Sequence, residues 1–436
     1  MKILFISLGC DKNLADSEEM LGLLTGSGHE IVDSEEEADA IVINTCCFIH
    51  DAKEESVNTI LEMAEYKKTG SCKALIVTGC MAQRYKEEIT QEIPEVDAVL
   101  GTTSYGDIVK ALNEAQAGNV FQEFRDINEL PEDSGRRVLT TGGHFGYLKI
   151  AEGCDKHCTY CIIPSLRGRF RSVPEERLLA QAEYMASQGV KELILVAQET
   201  TVYGTDLYGK KTLHILLKKL CQIKGIRWIR VLYCYPEEIY DELVQVMKEE
   251  KKICNYLDLP IQHASDRILK RMGRRTTRKQ LEDIIAKLRR EIPDIVLRTS
   301  LITGFPGETQ EDHEELMEFV DEMEFDRLGV FTYSPEEGTP AETMEGQVPE
   351  EVKEERRDEL MSLQQEISLE KGDERIGQEL VVMIEGKVSG ESAYIARTYA
   401  DAPKVDGYIF VQTGELLVTG ALEYDLIGEL ADEYTE

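Results

Sequence analysis

Apolar and polar positions divide the chain into three stretches of different rhythm. From residue 2 to about 110, short unbroken apolar runs (2–8, 40–44, 74–78 and 97–101) alternate with segments of helical spacing. Those segments are 15–24, 51–66 with Val57, Ile60, Leu61 and Ala64 on one face, and a run from Met81. Buried runs of strand length between amphipathic helices are what a parallel sheet covered on both faces requires. A small parallel α/β domain is therefore expected over 1–115. Residues 116–145 are rich in Gly, Pro, Asn and Ser and carry no long period, so they are expected to be a linker with room for a short strand or hairpin.

The strand–helix rhythm returns over 146–335. Strands are expected at 147–152, 192–198, 227–233, 255–259, 296–302 and 327–333, with helices at 175–188, 213–223, 237–248 and 278–291 among the intervening segments. Six such units in about 190 residues fall short of a closed eightfold barrel, which takes about 250. An open six-stranded partial barrel fits, with its functional groups at the C-terminal ends of the strands. A connecting segment, 336–371, contains a highly charged helix from 349 that Gly372 is expected to end. Beyond it, over 372–436, short alternating runs at 380–384, 393–397, 407–411 and 416–418 predict a small β-barrel. The fold class is thus a multidomain α/β protein carrying a small all-β domain.

Composition changes this picture in two ways. Hydrophobic content of 42%, no apolar run near 18 residues and an N-terminus too soon polar for a signal peptide predict a soluble, cytoplasmic protein. In that setting eleven cysteines favour metal binding or catalysis over disulfides. The formal charge of −34 opposes wide contact with a polyanion and suits a basic partner. The segment from Gly372 onward shares this bias, with 14 acidic residues against 4 basic, a balance of −10. Only the runs 270–279 and 167–171 are locally basic, and such runs are more often solvated helix ends than RNA contacts.

The chemistry concentrates in Cys154-Asp-Lys-His-Cys158-Thr-Tyr-Cys161, directly after the first barrel strand. Three soft thiolates within eight residues can hold three corners of a cubane iron–sulfur cluster, leaving the fourth iron open. Structural zinc is the nearest competitor, but it wants a fourth protein ligand; His157 is crowded against Cys158 and no second Cys/His pair follows. In the N-terminal domain Cys10, Cys46 and Cys80 each end one of the first three strands, on the sheet edge where sites form. On residue chemistry alone, a second three-thiolate site and three scattered core thiols both remain open. Cys72, Cys221, Cys234 and Cys254 are expected to be structural. Gln198-Glu199-Thr200-Thr201 follows the second barrel strand and Ile302-Thr-Gly304-Phe-Pro-Gly307-Glu308 the fifth, while Asp258, Gln262, His263 and Arg298 lie on or just after strands and could line the mouth.

The C-x3-C-x2-C spacing with Tyr160 before its last cysteine resembles the radical S-adenosylmethionine (SAM) superfamily, whose fold is the six-stranded partial barrel. The resemblance implies a [4Fe-4S] cluster on Cys154, Cys158 and Cys161 that binds SAM through its open iron. It also implies SAM contacts from Tyr160, Gln198, Glu199, Thr200, Arg298, Ile302 and Gly304. Two elements depart from the superfamily pattern: the Gly-Gly of the Gly-Gly-Glu-like turn is missing before Glu199, and Ser300 replaces a leading glycine.

Leu8-Gly-Cys10-Asp-Lys-Asn13, Asn44-Thr-Cys46-Cys-Phe48 and Gly79-Cys80-Met-Ala-Gln83-Arg84 resemble the N-terminal domain of methylthiotransferases. That likeness implies a second [4Fe-4S] cluster on Cys10, Cys46 and Cys80, with Cys46 chosen over Cys47 by its place in the motif. The C-terminal segment resembles a TRAM domain. Residues 147–154, 197–208 and 401–407 are most similar to the RimO type within this family. The implied reaction adds a methylthio group to the β-carbon of an aspartate in small-subunit ribosomal protein S-twelve, with no catalytic side chain beyond the cluster ligands. The implied partners are that basic protein, an electron donor such as flavodoxin or ferredoxin, a sulfur donor and a second SAM as methyl source. The same chemistry on tRNA (the MiaB type) and a non-enzymatic iron–sulfur sensor or ribosome-binding protein are the alternatives.

Overall fold

The computed structural model describes residues 1–132, 134–390, 393–412 and 416–430. Residues 431–436, assigned above to the terminal barrel, lie outside the described residues. The N-terminal domain is a six-stranded parallel sheet of β1 (Lys2–Ser7), β2 (Glu30–Val32), β3 (Ala40–Thr45), β4 (Ala74–Gly79), β5 (Ala98–Leu100) and β6 (Phe121–Glu123). Its strand order is β2-β1-β3-β4-β5-β6. Between strands lie α1 (Asp11–Gly26), α2 (His50–Thr69), α3 (Cys80–Glu92) and α4 (Ile108–Gln116). β3 and β4 are buried at every position, as their unbroken apolar runs require. β2 was not expected; it is three residues long, too short for a period. β6 is a short strand of the kind the linker left room for, and it pairs in parallel with β5.

α1 does not behave as a surface helix. Eleven of its residues are buried, including Lys12, Asp16, Glu18 and Glu19, because the linker and the barrel cover the face that the sequence leaves charged. Glu18 clasps the returning linker, accepting from Arg137 at 2.6 Å and from the Thr140 amide at 2.7 Å.

The second sheet contains β7 (Phe145–Lys149), β10 (Glu192–Val196), β11 (Trp228–Val231), β12 (Ile253–Asp258), β13 (Val296–Thr303) and β14 (Arg327–Thr332), all parallel in the order β14-β13-β12-β11-β10-β7. This is the open partial barrel. The run expected at 147–152 is interrupted at Ile150. Its end, β8 (Ala151–Glu152), turns away to pair with β9 (Arg171–Ser172), and the cysteine loop and a short helix, α5 (Ile163–Arg167), lie between them. One face of the sheet packs on the surrounding helices through Leu148, Leu193, Leu195, Ile229, Leu257 and Leu297.

The charged helix runs over Glu350–Asp373, past the glycine expected to stop it. It leads to a five-stranded mixed sheet of β15 (Met383–Lys387), β16 (Ala393–Arg397), β17 (Ile409–Gln412), β18 (Leu416–Ala421) and β19 (Leu426–Leu430), ordered β15-β16-β17-β19-β18. The loop between β16 and β17 seals the inner face of the barrel. Ala400 and Ala402 are buried among Tyr147, Val196, Leu232 and Tyr256. Asp401 pairs with Arg327 at 2.6 Å, and Asp406 accepts from the Tyr256 hydroxyl at 2.7 Å and faces Arg298 at 3.3 Å. Glu192 on β10 is held between Arg230 at 2.7 Å and Arg397 at 2.8 Å, with all three side chains fully buried. Among the described residues no helix is long and apolar enough to cross a membrane.

Candidate functional site

Each cysteine set is shaped by a glycine that admits no side chain. Gly153 follows β8 with φ +73°, and a Cβ there would stand 2.1 Å from the Arg169 carbonyl oxygen. The cysteine loop then starts at once, fixed by the Cys154 amide donating to the Gly168 carbonyl at 3.1 Å. The Thr159 amide and hydroxyl bind the carbonyls of Met272 and Arg271, both at 2.9 Å. Cys158 Sγ lies 3.9 Å from the Tyr235 hydroxyl, and the Lys156 amide points at Cys154 Sγ from 3.4 Å. Burial pushes the Cys154 thiol up to about 11 and that of Cys161 up to about 12, so ionisation of these donors is tied to metal binding. Among the described residues, no three His, Cys, Asp or Glu side chains form a group able to hold a single metal ion. Three soft donors without a fourth protein ligand match a cubane with one open iron better than closed tetrahedral zinc.

The proposed SAM contacts divide by their surroundings. Gln198 Oε1 and Glu199 Oε2 are buried acceptors with no hydrogen-bond partner in the protein, a chemistry that suits a bound ammonium group. Glu199 takes the Thr201 hydroxyl on its other oxygen and lies 3.7 Å from the Lys156 ammonium. Burial holds its carboxyl up at about 7. Lys156 also pairs with Glu238 and lies over the Tyr235 ring at 5.0 Å. Tyr160 meets Phe305 edge-on at 6.3 Å, with Ile302 and Met272 in the same apolar group.

The other candidates are engaged within the fold. The Thr200 hydroxyl donates to the Leu232 carbonyl at 2.7 Å, Arg298 is paired with Asp258 at 2.8 Å, and the space a Cβ on Gly304 would need is taken by Lys353 Cγ, 2.1 Å away. His263 is fully buried, its Nε2 3.5 Å from Glu308, and Gln262 bridges to Leu301.

At the N-terminal set, Gly9 has φ +87°, and a Cβ there would be 2.6 Å from Cys46 Cβ and 2.9 Å from its Sγ. Gly79, before Cys80, presses equally close to Asn44 and Thr45. Three strand ends distant in sequence thus close on one point. Burial pushes Cys46 up to about 12, with the neighbouring Cys80 and Cys10 adding to the effect. Cys47 is fully buried in the apolar interior, with Cys80 and then Arg84 the largest charge influences on it. Asn13 ties the ends together, donating to the carbonyls of Leu8 at 3.2 Å and Thr45 at 3.0 Å.

Sequence reading missed the buried charges behind this set. Arg167 reaches Asn13 Oδ1 at 2.5 Å, Asp16 at 2.9 Å and Glu152 at 3.5 Å, and Lys149 pairs with the same two carboxylates. Part of each basic run is engaged with the rest of the chain, while Arg169, Lys270, Arg275 and Lys279 remain exposed. Arg271 and Arg274 bind backbone carbonyls at 306, 345 and 260, while Arg278 and Lys279 pair with carboxylates of neighbouring helix turns.

The turn after β11 touches the surroundings of both sets, since the Tyr235 hydroxyl lies beside Cys158 and Tyr233 beside the residues around Cys10. The Lys12 ammonium lies 3.3 Å over the ring of Tyr233, just beyond β11. Asp11 and Cys10 bear electrostatically on that same tyrosine, whose hydroxyl proton burial makes hard to remove.

A partial parallel barrel with a three-cysteine loop at the end of its first strand is the framework of a radical SAM enzyme. Residues 148–320 match the model of the Radical SAM superfamily, 2–101 that of Uncharacterized protein family UPF0004 and 376–431 that of the TRAM domain. Among solved structures, the fold is similar to that of the radical SAM methyltransferase TsrM from Kitasatospora setae (TM-score 0.56, 13% identity, 78% of this chain and 74% of that one). It is also similar to that of the cobalamin-dependent radical enzyme OxsB (TM-score 0.52, 15% identity, 83% and 56%).

The chain is 64% identical over 437 residues to the ribosomal protein uS12 methylthiotransferase RimO of Lachnoclostridium phytofermentans, covering 98% of this chain and 99% of that one. It is 50% identical over 441 residues to the protein of that name from Clostridium perfringens, covering 99% and 98%. It belongs to the ribosomal protein uS12 methylthiotransferase RimO family.

Proposed function

We propose that the protein adds a methylthio group to the β-carbon of an aspartate in ribosomal protein uS12. The observation that supports this reading is that one turn after β11 carries Tyr235 beside Cys158 of the barrel set and Tyr233 beside the residues around Cys10 of the N-terminal set. The full-length likeness to uS12 methylthiotransferases supports it. Cys154, Cys158 and Cys161 would hold the SAM-binding [4Fe-4S] cluster and Cys10, Cys46 and Cys80 the second. When bound, these groups and SAM supply one-electron chemistry that removes a hydrogen atom from a carbon too weakly acidic for a side-chain base, and deliver sulfur to that carbon. The chain's own residues prepare the site. Gln198 and Glu199 offer buried acceptors for the amino group of SAM, Lys156 keeps the Glu199 carboxylate from lying unpaired, and Tyr160, Ile302 and Phe305 form an apolar wall. An electron donor such as flavodoxin or ferredoxin and a sulfur donor complete the requirements.

The acidic C-terminal domain suits a basic protein substrate. The tRNA alternative leaned on the basic run 270–279, of which Arg271, Arg274 and Arg278 are engaged by carbonyls and carboxylates of the fold, while Lys270, Arg275 and Lys279 are exposed. The test is product mass: the protein is reconstituted without oxygen, given SAM, reductant and a sulfur source, and offered uS12 and a tRNA pool separately. A methylthio gain on an aspartate of uS12 is the expected result. A gain on tRNA alone, or SAM turnover with neither modified, overturns the substrate assignment. Binding of the ribosomal protein without SAM turnover would instead establish a non-enzymatic sensor.

A further inference from the structure

The short helix α5 joins the two cysteine sets. It begins two residues after Cys161, but Leu166 and the flanking Ile162 are buried among Val77, Cys80 and Met81 of the N-terminal domain. The Thr102 hydroxyl fixes it there, donating to the Leu166 carbonyl at 2.8 Å. Its last residue, Arg167, contacts Asn13 Oδ1, the same oxygen that Cys80 Sγ faces from 3.9 Å. Arg167, Lys149, Asp16 and Glu152 are each at most 8% exposed and together carry two positive and two negative charges. An apolar filling of similar volume would hold the domains together at least as well as buried ions. The balanced quartet beside one cysteine therefore asks for a purpose other than stability.

We infer that Arg167 is a positioning residue for the second site: it fixes Asn13 against Cys80 and, within its neutral quartet, sets the reduction potential of the cluster held by Cys10, Cys46 and Cys80. This rests on the two-cluster reading above. Reduction adds negative charge to a cluster, so nearby charge in a poorly polarisable interior moves its potential in a definite direction. Arg167→Gln leaves the quartet with one excess negative charge and shifts the midpoint to more negative values. Asp16→Asn leaves one excess positive charge and shifts it the other way. Arg167→Lys keeps the charge, and Arg167→Gln combined with Asp16→Asn restores the balance, so both stay near the parent.

The experiment uses the full chain carrying Cys154→Ala, Cys158→Ala and Cys161→Ala, so that only the N-terminal set can hold a cluster. Iron and sulfide per chain are measured after anaerobic reconstitution, followed by an EPR-monitored redox titration of each variant. Opposite shifts for Arg167→Gln and Asp16→Asn, with both compensated variants near the parent, are expected. Unchanged midpoints, or shifts of the same sign as from simple loosening, overturn the inference and leave the two-cluster reading standing. No cluster in the parent overturns that reading and the inference with it. Should Arg167→Gln not fold, a positive shift in Asp16→Asn with none in Arg167→Lys supports the inference, and no shift in Asp16→Asn overturns it.

Discussion

The two cysteine sets are assembled by opposite routes. Cys154, Cys158 and Cys161 lie on one loop whose shape is fixed by backbone hydrogen bonds within a few residues and to the 271–272 turn. Cys10, Cys46 and Cys80 come from three separate βα turns and meet only because a parallel sheet brings those turns to one edge and Gly9 and Gly79 let them close. The first site is a property of a segment; the second is a property of a folded domain, supported from behind by residues of the other domain. Damage to the fold therefore bears on the second before the first.

The largest expected effect separates the sites outright. Cys158→Ala is expected to abolish formation of 5'-deoxyadenosine, whereas Cys46→Ala keeps that uncoupled cleavage and loses the methylthio product; chromatography and product mass read the two outcomes. Intact product from Cys46→Ala would move the assignment to Cys47. Next, Gly9→Ala forces a Cβ to 2.6 Å from that of Cys46 at φ +87°, an overpacked and strained position expected to destabilise the domain by about 2–4 kcal/mol. Iron at the N-terminal set should fall with it while SAM cleavage survives; Gly153→Ala should show the reverse preference. Iron analysis beside chemical denaturation checks both.

The next effect depends on pH. The Glu199 carboxyl titrates at about 7 in the fold against about 4.3 in an unfolded chain. Between those values the native state binds the extra proton, so stability falls as pH rises through the window and levels off above about 7. Urea unfolding of the SAM-free protein across that range should show this slope, about 3–4 kcal/mol in total, and Glu199→Gln should flatten it. The smallest effect belongs to Cys47→Ala. It removes one buried sulfur that faces away from Cys10, for about 1 kcal/mol of stability, with iron content and product unchanged.

This contrast also explains what could be read in advance. The barrel loop was legible because all its donors lie within eight residues, and the strand-end cysteines because unbroken apolar runs announce parallel strands. The quartet of Asp16, Lys149, Glu152 and Arg167 was not legible. On a helical wheel the charges of α1 look like a solvent face, and only the docking of the barrel buries them. β2 was missed because three residues cannot display a period, and the charged helix runs one residue past Gly372, where the missing Cβ leaves room for Ala421, 3.0 Å from where it would sit. The basic run 270–279 advertised a surface patch but is partly occupied by carbonyls and carboxylates of the fold. Sequence pattern reports what one element needs, and these residues answer to needs of neighbouring domains.

The loop at 398–407 carries a consequence for how the molecule is made. It covers the inner wall of a barrel whose first strand begins at Phe145, 253 residues earlier than Thr398. At a synthesis rate of about 5–20 residues per second, that wall waits about 13–50 s for its cover. During this interval Phe145, Tyr147 and Tyr256 line an unsealed surface, and Glu192 and Arg230 lack their third partner, Arg397. Until the β16–β17 segment emerges, the nascent barrel carries exposed apolar surface of the kind that promotes aggregation. A chain interrupted before residue 398 would leave a sticky intermediate and not a smaller working enzyme.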